Sequence, residues 1–293
     1  MLVDSLGLGG TETYVFTLAK ELIANGHTII IGTNGGFYSD LFRSIGAKIE
    51  YLPFKSDNPL YTDYTALLGR VREIIEEYQI EIMHAHFIAG LKIGAQIAQE
   101  TLVPLVMTVH GMFYPWRRLQ IYLESCSHVI AVSLPVAKWL QNKVGFSGKD
   151  ISIIPNGIDT NYFVPGERLN EETSLVTICS RIAWGKTRVI ETAMQVVNEL
   201  ANDRPMKLAI VGSGPDSPFI LGTANQINRH HGNELIISSG AMLDPLQAYQ
   251  ASDLVIGTAR VALEALSCQA VVIGAGNAGY FGPLTEEMFP LAW

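Results

Sequence analysis

The sequence predicts an α/β protein made of two doubly wound domains that face each other across a cleft. Three observations carry this. Short apolar runs alternate with stretches of helical period along the whole chain. The alternation breaks once, at ISIIPNGIDTNYFVPG (151–166), where two prolines and an Asn-Gly turn intervene, and then restarts. The length of 293 residues suits two domains of roughly 100–200 residues each. The domains are therefore placed at 1–155 and 156–293.

The elements follow in order. A short first strand, MLVDSL, leads through a glycine-rich turn to a helix over 15–26, which Gly26 ends. HTIIIGT (27–33), AKIEYLP (47–53), IEIMHAH (80–86), PLVMTVH (104–110) and HVIAVS (128–133) read as strands, and 64–78 reads as a helix. A strand then a linker fill 151–166. Beyond it SLVTICS (174–180), KLAIVGS (207–213), ELIISSG (234–240), DLVIGT (253–258) and AVVIGAG (270–276) read as strands, with the clearest helix over 187–203. Such a rhythm implies parallel sheets covered on both faces, with ligands bound beyond the carboxyl ends of the strands.

Composition narrows the function. Hydrophobic residues make up 48% of the chain, enough for a large core, and the formal net charge is -8. Residues 1–155 carry 12 basic and 14 acidic groups, and residues 156–293 carry 8 and 14. An acidic chain of this kind is not a general nucleic-acid binder. Cys126, Cys179 and Cys268 are widely spaced and odd in number, which suits buried thiols in a reducing compartment rather than a disulfide framework. No apolar run reaches the roughly 18–20 residues that span a bilayer, and no signal-type segment opens the chain. A cytoplasmic protein is expected, with peripheral contact at the inner membrane face left open.

Several motifs carry chemistry. SLGLGGTETYV (5–15) crowds glycines directly before a helix, where the backbone either makes a tight turn or approaches an anion. GSGPD (212–216) is a second such turn. GAGNAG (274–279) has the spacing of a dinucleotide fingerprint, but Gly282-Pro283 interrupts the helix that this requires, so no nicotinamide site is expected. His84, His86 and His110 end strands. No Cys or carboxylate cluster supports a metal site there, and no Asp-x-Asp occurs in the chain. His110, followed by Gly111, is placed to touch a ligand. Arg181 and Lys186 put two cations where a helix begins, against its dipole, a choice that makes sense if a diphosphate lies between them. Glu264 stands in an otherwise apolar helix and needs a partner, either sugar hydroxyls or a structural arginine.

With these residues in order, the chain resembles the retaining GT-B glycosyltransferases of family 4. GGTETYVFTLAKELIANGHTIIIGT is similar to the family's opening, and HAHF, TVHG, VIAVS and IPNGID are similar to its later signposts. SRIAWGK, VGSGP and ARVALEALSCQA are similar to its G-R-L-x-x-x-K-G, V-G-x-G-P and L-x-E-A-M-A-C-G-x-P segments. The resemblance implies a hexosyltransferase that takes a nucleotide-diphosphate sugar, with a UDP-sugar favoured, in cell-envelope polysaccharide chemistry. The acceptor would be a sugar, a lipid-linked or a small molecule, and no cofactor or metal would be needed. It assigns Arg181, Lys186, Gly9 and Gly10 to the donor diphosphate, and Glu264, Ala241, Met242 and Gly212 to the nucleotide. Gly257, Thr258 and Arg260 go to a donor sugar or phosphate loop, and catalytic His110 goes to the transferred sugar.

Three departures stand against the pattern. The first glutamate of the family's E-x7-E is Ile256 here, and GTAR (257–260) stands in place of E-G-F-G, so Arg260 either adds a phosphate contact or pairs with a nearby acid. Lys186 is followed by Thr187 rather than glycine. The C-terminal helices that cross back onto the first domain are not read in the sequence, so the second domain is expected to be incomplete. The alternatives are a non-catalytic nucleotide-sugar-binding relative or partner subunit, and a nucleotide-sugar epimerase of the same fold.

Overall fold

The computed structural model describes residues 1–54, 64–146, 151–166, 172–183, 185–242, 244–277 and 279–288. The chain divides into two compact units, Met1–Asn156 and Gly157–Trp293.

The first unit is built on a parallel sheet. Strand β1 (Ile30–Thr33) pairs with β2 (Lys48–Tyr51), and β3 (Met83–Ala85), β4 (Leu105–Val109), β5 (His128–Ala131) and β6 (Ile151–Ile153) follow one another in space. The segment read as a first strand joins the two pieces. Leu2 bridges in parallel to both Gly32 and Ala85. The Leu2 amide donates to the His84 carbonyl at 2.7 Å, and that of Val3 to Gly32 at 3.0 Å. All four residues of β1 are buried, as in a strand covered on both faces. Helices α1 (Gly10–Ala24), α2 (Ser39–Ser44), α3 (Tyr64–Tyr78), α4 (Ile88–Glu100), α5 (Trp116–Leu123) and α6 (Leu134–Trp139) connect these strands. Leu91 and Ile97 of α4 and Leu119 and Leu123 of α5 bury against Leu105, Met107 and Val129. Each such side chain contributes about 1.5–3 kcal/mol.

The second unit orders its strands β12-β11-β10-β7-β8-β9. Strands β7 (Ser174–Cys179), β8 (Met206–Val211), β9 (Ile236–Gly240), β10 (Leu254–Gly257) and β11 (Val271–Gly276) are parallel. They are linked by α7 (Gly185–Leu200), α8 (Ser217–His231), α9 (Leu246–Ala251) and α10 (Arg260–Ser267). The chain runs outward from β7 to β9, then returns to β10 on the other side of β7. Strands β7 and β10 therefore flank the switch point at which sheets of this type bind ligands.

Two element boundaries differ from the sequence reading. The first helix starts at Gly10 rather than at 15, because Gly9 takes an extended N-cap conformation and its carbonyl already accepts from the Thr13 amide at 3.1 Å. The long helix of the second unit starts at Gly185 and ends at Leu200. From the last glycine of GAGNAG, where the sequence reading placed no helix, the chain returns as an antiparallel strand, β12 (Gly279–Pro283). Ala278 of that motif lies outside the described residues.

Candidate functional site

The carboxyl edge of the second sheet gathers most of the residues singled out in that half. Strand β7 leads into Ser180 and Arg181, β8 into Gly212, β9 into Ala241 and Met242, and β10 into Thr258 and Arg260. The GSGPD turn is knitted to the segment after β7. Ile182 donates its amide to the Ser213 carbonyl at 3.0 Å, and Asp216 donates to Ile182 at 3.2 Å. Gly212 has φ +142, and a Cβ on it would stand 1.8 Å from the Ser180 carbonyl oxygen. Glycine there is required by the chain's own packing, whatever else it meets. The Thr187 hydroxyl donates to Asp216 at 2.6 Å, tying the start of α7 to that of α8. That bond gives a structural reason for a threonine after Lys186.

Arg181 is exposed just before α7, and Lys186 is the second residue of that helix, partly buried. Burial lowers the Lys186 ammonium below its usual value, and the Arg181 charge acts in the same direction, against an opposing effect of Cys179. The two cations repel each other, at the helix end whose dipole repels both.

Glu264 and Arg260 are partners of each other. Arg260 Nη2 lies 3.0 Å from Glu264 Oε1, and both side chains are buried. Arg260 Nη1 also donates to the Gly157 carbonyl at 2.8 Å, and the Tyr249 hydroxyl donates to Glu264 Oε2 at 3.1 Å. Arg260, expected in a donor sugar or phosphate loop, is instead enclosed and paired with an acid. Glu264, expected at the nucleotide, has the structural arginine as its partner. Burial raises the Glu264 carboxyl above its usual value, with Arg260 and Tyr249 pulling against it. Between Thr258 and Arg260 the backbone is strained, since Ala259 has φ 54 and ψ -131, a region that glycine alone enters freely. Gly257 is buried, and a Cβ on it would lie 2.5 Å from Val261. Ala241 and Met242 are exposed at the end of β9, and nearby Asp244 accepts from the Tyr162 hydroxyl at 2.5 Å.

In the first unit His110 follows β4 and belongs to a row of rings. Strands β3 and β4 run parallel with His84 opposite Val106, and their side chains meet two residues further along β4, His84 Nε2 with the Thr108 hydroxyl at 2.7 Å and His86 Nδ1 with His110 Nε2 at 3.2 Å. Tyr14 of α1 meets the His110 ring edge-on at 4.8 Å. His86 is fully buried, while His110 keeps part of its surface open. Burial lowers His84 and His110 to about 3, and His86 well below its usual value, so all three rings are neutral at pH 7. In the opening turn, a Cβ on Gly9 would stand 2.6 Å from Glu12 Oε2, whereas one on Gly10 would meet nothing within 4 Å. The close neighbour of Gly9 is thus the helix's own Glu12 carboxylate, the movable end of a flexible side chain.

Sequence reasoning missed Tyr249 and the pairing of His86 with His110. Tyr249 is one tyrosine in a short helix, and nothing local marks it as the partner of a residue 15 positions on. The histidine pairing had a signal. H-x-H and T-x-H on adjacent parallel strands place alternate residues on one face. Among the described residues, no three His, Cys, Asp or Glu side chains gather so as to hold a metal ion.

Two parallel-stranded α/β units of this kind are the architecture of the GT-B glycosyltransferases. The crystal structure of Anabaena HepE in complex with UDP and glucose matches over 94% of this chain and 80% of that one, with a TM-score of 0.74 and 21% identity. A glycosyltransferase from Rickettsia africae matches over 92% and 78%, with a TM-score of 0.73 and 19% identity. The Glycosyltransferase Family 4 model matches residues 8–162, and the chain belongs to that family. Among curated relatives, the gpi3 subunit of phosphatidylinositol N-acetylglucosaminyltransferase from Schizosaccharomyces pombe is 23% identical over 71% of this chain and 49% of its own length. The D-inositol 3-phosphate glycosyltransferase of Gordonia bronchialis is 26% identical over 92% of this chain and 70% of its own. The chain spans about half the length of the first of these. Among the described residues, no helix is long and apolar enough to cross a membrane.

Proposed function

We propose that this chain carries out retaining, metal-independent transfer of a sugar from a nucleotide-diphosphate donor, a UDP-sugar by preference. The observation that carries the reading is the placement of Arg181 and Lys186 at the start of α7, beside the switch point of the second sheet. Two cations set where α7 begins can both give charge-assisted hydrogen bonds to one diphosphate. In the reaction the bond between the sugar's anomeric carbon and the diphosphate oxygen breaks, and the acceptor hydroxyl bonds to that carbon while its proton passes to the departing diphosphate. Arg181 and Lys186 stabilise the negative charge that grows on the leaving diphosphate. Gly10, with open space around it, is assigned to the phosphate side of the donor, and neutral His110 to the transferred sugar. Ala241 and Met242 are assigned to the base.

Further support comes from HepE, whose crystal structure holds UDP and glucose, and from relatives named as N-acetylglucosaminyl enzymes. UDP-glucose and UDP-N-acetylglucosamine are therefore the donors to test first. Peripheral contact with an anionic membrane belongs to the same reading, supported by α5, where exposed Ile121 shares a helix with exposed Arg117 and Arg118. Flotation with anionic vesicles, compared with neutral ones, tests that contact.

A second reading is a relative that binds the donor without transferring its sugar. The buried Arg260–Glu264 pair, together with Ile256 where the family has its first glutamate, favours it. Donor turnover measured beside a nucleotide titration separates the two. Binding with release of free sugar or product in EDTA upholds the first reading, and binding without turnover upholds the second. No binding of any nucleotide by folded protein removes both.

A further inference from the structure

The pairing of His86 with His110 fixes more than position. Their facing nitrogens, His86 Nδ1 and His110 Nε2, stand 3.2 Å apart, so one must carry the shared proton. The other nitrogen of His86, Nε2, is buried and has no hydrogen-bond partner among the described residues. The two assignments leave different atoms stranded. If His110 donates, then neutral His86 must carry its own proton on Nε2, leaving a buried N–H with no acceptor. If His86 donates from Nδ1, its stranded Nε2 is a bare lone pair. Orphaned N–H groups are rarer in proteins than under-used acceptors, so the second assignment is favoured.

We infer that His86 donates to His110 and thereby holds it as the Nδ1–H tautomer, so that His110 meets its ligand as a hydrogen-bond donor rather than as an acceptor. His86 is a positioning residue in this account. Other contacts hold the two rings in place. The Tyr114 hydroxyl donates to the His86 carbonyl at 2.9 Å and also sits against the His110 main chain. Tyr14 blocks one side of the His110 ring. Fully buried His86 stands behind His110, which alone of the pair keeps an open surface. A donor in this position suits a sugar hydroxyl oxygen or a phosphate oxygen, and it cannot act as the base that removes a proton from an acceptor. Which nitrogen of an imidazole is protonated is set by the bond that the other makes.

The assignment of a sugar to His110 rests on the proposed function, but the tautomer does not. It is read first in isotope-labelled wild-type protein at pH 7, by long-range nitrogen–proton correlation of the histidine rings. The His110 signals are identified by their loss in His110→Gln. The proton is expected on His110 Nδ1, with Nε2 bare. A proton on His110 Nε2 overturns the inference. The second test compares His86→Phe, which removes the donor, with His86→Asn, which keeps an N–H near the place of Nδ1. Turnover is expected to fall about tenfold or more in His86→Phe, as for the loss of other groups that orient an imidazole, with donor KM within about twofold. His86→Asn should recover most of that loss. A His86→Phe protein that keeps both the tautomer and the turnover overturns the inference. If that variant does not fold, the wild-type spectrum still decides. Wild-type protein with the expected tautomer and no transferase turnover upholds the inference and removes the function proposed above.

Discussion

Arg260 and Glu264 stand one turn apart on α10 and form a 3.0 Å ion pair with both side chains enclosed. Removing one partner of a buried pair strands the other charge, at about 3–5 kcal/mol. Glu264→Gln should therefore destabilise the second unit by that order, and Arg260→Met by a similar amount. The double variant Arg260→Met/Glu264→Met should lose less than either single change. Urea unfolding of the three variants checks this, and additive losses would contradict it. Any weaker nucleotide binding by Glu264→Gln must be read on a sample whose unfolding transition is intact.

Ala259 stores strain ahead of the same helix, with φ 54 and ψ -131. Ala259→Gly relieves the steric cost at the expense of a more mobile unfolded chain. The balance should stabilise the protein by about 1 kcal/mol. A higher urea midpoint at unchanged slope is the expected outcome, and a lower midpoint would show that the conformation is not strained.

Lys186 opposes a helix dipole and is lowered by burial and by Arg181. Lys186→Met keeps the apolar stem and removes the charge. The unliganded protein should gain about 0.3–1 kcal/mol, while nucleotide-diphosphate affinity falls roughly 10- to 100-fold. Thermal unfolding with and without UDP reads both effects together. A variant that lost stability and kept its UDP response would contradict the role.

The histidine row makes stability depend on pH. His84 and His110 are lowered to about 3 by burial, and His86 also lies below its unfolded value. Between pH 6.5 and about 3 the unfolded chain binds protons that the folded rings refuse, so stability is full above 6.5 and is lost as pH falls. Each ring should account for about 1–2 kcal/mol between pH 7 and pH 5. His84→Gln should flatten the dependence measured by urea unfolding at several pH values. An equally steep profile in that variant would count against a neutral, buried row.

Much of this was legible in the chain because it rests on short-range rules. Parallel strands flanked by helices follow from apolar runs such as HVIAVS and SLVTIC, and Gly212 follows from the need for a turn after β8. What depended on contacts between distant positions was not legible. The reach of Arg260 to Glu264 is one helical turn, yet the choice between a phosphate and that acid turned on burial, which only the packed fold sets. Tyr249 and Gly157, which complete the pair, lie 15 residues from Glu264 and 103 from Arg260. Glu12 folding back over Gly9 likewise fills space that composition alone leaves to a ligand.

Calorimetric titration with UDP reads whether Arg181 and Lys186 hold the diphosphate of the donor. Wild-type protein should bind UDP in the presence of EDTA. Arg181→Ala and Lys186→Ala should each weaken binding roughly 10- to 100-fold, as expected for loss of a charge-assisted hydrogen bond. Unchanged UDP affinity in a folded Arg181→Ala/Lys186→Ala double variant would mean that these two cations do not hold the diphosphate.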